Sequence, residues 1–228
     1  MPLRAKKIED CGLEIAPIYR EENEVISNMD DEGAISIENS EASLQVISDI
    51  LCSQGGDAGE LTVERRDFAM ASLSSLTSLE RMGQRAVHLS NELINSEAHN
   101  DLRNYLFTNL SQDPKQNPQR LIIHSLEILA NVANCSQSPS QLVDLLSQND
   151  YIIYHDLIHN IENAPSDPRA ADLSCVILKN VCLSQAITNL MPRNFRERLF
   201  SALTKAVNVG GVCHAELQGH SQQCLDAM

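Results

Sequence analysis

RLIIHSLEILANVAN (residues 120–134) returns forty-nine residues later as RAADLSCVILKNVCL (169–183). Arg120 recurs as Arg169 and Ser125 as Ser174. Ile128 and Leu129 recur as Ile177 and Leu178, and Asn131 and Val132 as Asn180 and Val181, six identities in the first thirteen positions. In both copies the apolar residues fall at three- and four-residue steps, the period of a helix that buries one face. Each copy follows a proline turn, DPKQNP (113–118) and APSDPRA (164–170). Pro118 and Pro168 are acceptable in a first helical turn, where the missing N–H has no intrahelical partner to lose. A self-match at roughly 20–50 residues is what stacked helical units produce, because each unit buries its face only against the next.

The same texture extends outward from this pair. TVERRDFAMASLSSLTSLERMG (62–83) sets Leu73, Leu76 and Leu79 at three-residue steps, with Phe68 five residues before them, and ends at Gly83. QRAVHLSNELINS, NDLRNYLFTNLSQ, PSQLVDLLSQN, YIIYHDLIHNIENA, LSQAITNLMPRN and FRERLFSALTKAVNVGG follow as further helices, the last stopped by Gly210 and Gly211. No run of alternating apolar residues lies between hairpin turns. The expected class is all-α, with a folded body over 59–211 and a polar tail over 212–228.

Composition narrows the function. The 228 residues are 43% hydrophobic but only 4% aromatic, with no Trp, so the core must be aliphatic. No apolar run reaches the length a membrane span needs, and MPLRAKKIEDCGLEI lacks the apolar centre of a secretory signal. Seven scattered cysteines suit reduced thiols, with a cytoplasmic or nuclear setting expected. The net charge of −14 speaks against nucleic acid or an anionic membrane as partner. Residues 1–60 hold four Lys/Arg against fourteen Asp/Glu. Residues 1–58 therefore read as an acidic, mostly disordered arm, with a possible helix at 41–52 where Leu44, Ile47, Ile50 and Leu51 have helical spacing.

LEILANVA and CVILKNVC resemble the third, inner helix of armadillo-type repeats, whose pattern is roughly aLxxLxNLa. The resemblance spans about residues 64–205, with a degenerate first unit in which Ser78 stands at the asparagine position. The glycine usual between the first two helices of such a repeat is replaced by Asn149–Asp150. The resemblance implies a short right-handed solenoid of about three irregular repeats, and a non-enzymatic adaptor that binds a peptide or helix of another protein. Asn131 and Asn180 would contact that partner's backbone, with Glu127, Arg120 and Arg169 around them and no cofactor. The acidic balance would favour a basic partner.

A competing reading starts from the same stretch. RLIIHSLEI followed by YHDLIHN resembles the His…His-Asp pattern of HD-type metal phosphohydrolases, which implies His124, His155 and Asp156 as metal ligands with His159 nearby. The glycine expected after the His-Asp pair is replaced by Ile158, and the repeat register sets Leu173 opposite His124. HDLIH also resembles the zinc-protease HExxH with Asp156 in place of the glutamate and Glu162 as a third ligand. CHAELQGHSQQC (213–224) offers Cys213, His214, His220 and Cys224 at spacings that match no familiar finger. Cys135 and Cys182 sit in apolar surroundings and read as buried structural thiols.

Overall fold

The computed structural model describes residues 37–52, 63–111, 119–135, 139–147, 152–183, 193–208 and 215–228. Among these residues are eleven α-helices, one 3-10 turn and no strand, in agreement with the all-α expectation. The helices are α1 (Ile37–Cys52), α2 (Val63–Thr77), α3 (Leu79–Met82), α4 (Gln84–Asn95), α5 (Asn100–Ser111), α6 (Gln119–Cys135), α7 (Pro139–Leu146), α8 (Ile152–Glu162), α9 (Pro168–Cys182), α10 (Arg193–Val207) and α11 (Ala215–Ala227).

They stand in two rows. In one row α2, α6, α9 and α11 are neighbours in that order; in the other α1, α5, α8 and α10 follow one another. Each member of the second row also lies against one member of the first: α1 on α2, α5 on α6, α8 on α9 and α10 on α11. Both copies of the quoted repeat, α6 and α9, occupy the middle of the first row. Leu126, Ile128, Ile177, Leu178 and Val181 are almost wholly excluded from water. The repeated serines are buried for a related reason. A small hydroxyl lets a neighbouring helix come close, and it must then find a partner. Ser125 accepts from Asn109 Nδ2 at 3.4 Å and Ser174 accepts from Asn160 Nδ2 at 3.2 Å. In α11, Ser221 is also wholly buried and meets Cys175 Sγ at 3.4 Å.

Local chemistry explains the helix ends. Asp167 caps α9 by accepting from the Ala170 N–H at 3.1 Å, with Pro168 in the first turn as expected. Gly83 takes φ +56°, which an L side chain rarely adopts, and it ends α3 as expected. The helix read continuously over 62–83 is interrupted at Ser78, whose ψ of 115° is extended. The interruption turns Leu79 outward, to 47% exposure.

Two boundaries differ from the sequence reading. The helix allowed for at 41–52 is present as α1 and begins earlier, at Ile37, with Leu44, Ile47, Ile50 and Leu51 buried against the body. The rest of the stretch read as an arm, residues 1–36 and 53–58, lies outside the described residues. Residues 215–227 form α11 rather than part of a polar tail. Leu217, Ser221 and Cys224 are its fully buried residues, a three- and four-residue spacing hidden among Gln, Glu and Asp. The outward face of α11 carries Glu216, Gln222, Gln223 and Asp226.

Between α4 and α5, the buried guanidinium of Arg103 donates to the carbonyls of Leu93 (2.7 Å) and Ser96 (2.8 Å) and to Asn100 Oδ1. The Leu93 carbonyl lies in the last turn of α4, where helical donors run out, whereas the Ser96 carbonyl also accepts from the His99 N–H at 3.2 Å. Arg103→Ala should therefore lower stability by about 3 kcal/mol. Urea denaturation would measure this, and a change below about 1 kcal/mol would show the carbonyls to be satisfied otherwise.

Candidate functional site

The face presented by α2, α6, α9 and α11 is crossed by polar rungs, each joining adjacent helices. Asp67 Oδ2 on α2 faces Arg120 Nη1 on α6 at 3.8 Å. Arg169 Nη2 on α9 reaches back to Glu127 Oε1 on α6 at 3.2 Å. Asp172 on α9 takes Arg169 at 3.6 Å and His220 of α11 at 2.7 Å. Lys179 donates to Gln223 Oε1 at 3.4 Å. The exposed pairs among them are worth under about 1 kcal/mol each, so apart from the one at buried Asp172 the rungs set register more than they add stability.

The two repeated asparagines belong to this set. Asn131 Nδ2 donates to the Ser74 carbonyl at 3.0 Å and lies 3.4 Å from Thr77 Oγ1, in the last turn of α2 where carbonyls lack helical partners. Asn180 Nδ2 donates to Asn134 Oδ1 at 3.0 Å and to its own Val176 carbonyl at 2.9 Å. Their amide donors are thus used inside the chain. The structure brings Arg120, Glu127, Asn131, Arg169 and Asn180 onto one face, as residues that join helices. Asn131→Ala should cost about 1 kcal/mol, because it removes the donor that ties α6 to the Ser74 carbonyl, which Thr77 Oγ1 of the same helix also reaches at 3.2 Å. Thermal unfolding of the single variant would check this, and an unchanged midpoint would remove the inter-helix role.

An open cleft lies on this face. It lies between α2 and α6 and is lined by Asp67, Phe68, Ala71, Gln119, Arg120, Ile123 and His124. Its floor is apolar, and Phe68 remains 45% exposed although most large apolar side chains of the body are buried. Sequence spacing counted Phe68 as core and so missed it. Periodicity identifies a face but cannot say whether a neighbouring helix covers it. The Arg120 side chain at the rim is 82% exposed and its contact to Asp67 is long, which leaves the guanidinium turned to solvent. His124 lies on the inner side, with Nδ1 3.4 Å from Glu127 Oε2.

The residues of the metal-site readings are placed apart from this cleft or are otherwise engaged. His155 and His159 are exposed on α8. Arg198 Nη1 meets His155 Nδ1 at 2.9 Å, and a guanidinium can only donate, so that nitrogen accepts. The His155 ring also lies 4.4 Å from that of Phe195. Glu162 is held by Arg198 through two contacts of 2.8 and 2.6 Å, which push its carboxyl below the usual range. Cys213 and His214 lie outside the described residues, while His220 is paired with Asp172 and Cys224 is wholly buried. Among the described residues, no group of three or more His, Cys, Asp or Glu side chains is placed to hold a metal ion. Cys135 and Cys182 are buried as read, and the Cys135 thiol donates to the Thr77 carbonyl at 3.7 Å. Among the described residues no helix is long and apolar enough to cross a membrane.

Asp156 shows what burial without a partner does. Its Oδ2 is shut from solvent with no hydrogen bond, and desolvation raises its carboxyl to about 6, with His159 opposing weakly. The folded state then holds the proton more tightly than the unfolded chain does. The associated stability is fully present below about pH 4 and is lost as pH rises through about 6. Asp156→Asn should remove this dependence and stabilise the protein at pH 7–8. Unfolding midpoints measured between pH 4 and 8 should be flatter for the variant, and parallel curves would disprove the assignment.

Comparison with models of known protein families, with curated proteins and with solved structures finds no match.

Proposed function

We propose that the chain is a non-enzymatic protein-interaction module, an armadillo-like stack whose inner row of helices receives a peptide segment of another protein. The observation that carries this reading is the cleft between α2 and α6, where a large apolar side chain stands open beside an exposed guanidinium. An extended segment could bury one aliphatic or aromatic residue against Phe68, Ala71 and Ile123, and set a carboxylate against Arg120. The net charge of the chain favours basic partners at long range. At the cleft the Arg120 rim outweighs it, because exposed charges beyond about 8 Å are screened. Of the partner-binding candidates read from the sequence, Arg120 lines this cleft; Glu127, Asn131, Arg169 and Asn180 hold the row together.

The test is selection from a random peptide library on the full-length protein. Peptides sharing an apolar anchor next to an acidic residue should emerge. Phe68→Asp, at a position already open to water, should weaken them by at least about tenfold, which is 1.4 kcal/mol. No enriched pattern, or binding indifferent to Phe68→Asp and Arg120→Glu, would reject the cleft as the site.

A further inference from the structure

An exposed Phe68 in a cleft that also presents an open arginine invites an occupant, and the chain carries one of suitable chemistry. GLEIAPIY (12–19) is the densest apolar stretch of the first 36 residues, with Leu13, Ile15, Ile18 and Tyr19 inside it. It contains Glu14 and is flanked by Glu9, Asp10, Glu21, Glu22 and Glu24, against Arg20 and, further upstream, Lys6 and Lys7. Pro17 disfavours the helical conformation for Ala16 and favours an extended one, in which alternate side chains point the same way.

We propose that residues Leu13–Tyr19 occupy the cleft between α2 and α6 of the same chain, with Leu13 and Ile15 against Phe68, Ala71 and Ile123 and Glu14 against Arg120, so that the N-terminal segment competes with any partner. The inference rests on the reading of the inner row as an interaction face and names the ligand that regulates it. Reach permits the contact. The stretch between Tyr19 and the start of α1 at Ile37 can span up to about 60 Å, and α1 itself lies against α2. Tethering supplies the rest. A linker of this kind holds its end at an effective concentration on the order of 1 mM, so an intrinsic Kd near 0.1 mM gives roughly ten-to-one occupancy. A partner must then bind about tenfold more tightly to appear equally strong.

The experiment uses the full chain carrying a benzophenone amino acid in place of Gln119, an exposed rim residue. After irradiation, peptide mapping should find the crosslink on residues 12–20 of the same molecule, with a yield independent of protein concentration. Ile15→Asp with Ile18→Asp should reduce that yield by about tenfold, and so should Arg120→Glu. Crosslinks between two molecules would replace the proposal by self-association. Crosslinks only to neighbouring helices would overturn it. The outcome is separable from the preceding reading. Crosslinking in cis with no selected peptide leaves the segment as a structural part of the body, whereas selected peptides without a cis crosslink leave an unregulated binding face. If both hold, the Ile15→Asp, Ile18→Asp variant binds the selected peptide about tenfold more tightly than the unaltered chain.

Discussion

A chain that stops after residue 214 should be less stable by about 3 kcal/mol, a fall of roughly 6–12 °C in Tm for a body of this size. α11 lies against both α9 and α10. Its removal strips the cover from Cys175, which is wholly buried and whose thiol that burial pushes up to about 12. It also exposes Cys182, whose hydrogen bond with Cys224 ties the two helices together. Leu217 alone represents about 2 kcal/mol of buried apolar surface, and the pairing of His220 with buried Asp172 is lost as well. A shorter chain that stops after Ala227 is the control and should behave as the full one. Equal midpoints for the chains ending at 214 and 227 would mean that α11 adds nothing to the fold.

Leu178→Ala should cost about 3–4 kcal/mol. Leu178 is wholly buried on α9, the helix that touches α6, α7, α8 and α11, so the cavity cannot collapse without disturbing several neighbours. Its repeat counterpart Leu129, 2% exposed on α6, should show a loss of similar size. Leu183, just beyond α9 and 61% exposed, should change stability by less than about 0.5 kcal/mol when replaced by alanine. Urea unfolding of the three variants measures all of this. A Leu178→Ala effect as small as that of Leu183→Ala would mean that α9 is not a central helix.

The residues that were legible in the sequence are those whose environment is set by their own helix. Leu44, Ile47, Ile50 and Leu51 were spaced as a buried stripe and are one. Asp167 and Pro168 announced the start of α9, and the internal match between α6 and α9 singled out the two helices that stand side by side. The candidate site was less legible. Asn131 and Asn180 recur because both reach an adjoining helix of the row, a use that gives the same sequence signal as contact with a partner. Phe68 reads as core because it belongs to the same apolar series as Leu73 and Leu76, and nothing local records that no helix covers it. The stretch of α11 reads as tail because three fully buried residues in thirteen are too few to raise a polar stretch above its background.

By itself, then, the sequence determined an all-helical aliphatic body, the register of its repeated helix and the acidic character of its first sixty residues. These follow from periodicity, capping and composition, which act over a few residues. Tertiary structure alone decided which faces remain uncovered. Exposure depends on neighbours far apart in the chain. The same packing that buries Ser125, Ser174 and Ser221 leaves Phe68 and Arg120 open at the cleft between α2 and α6.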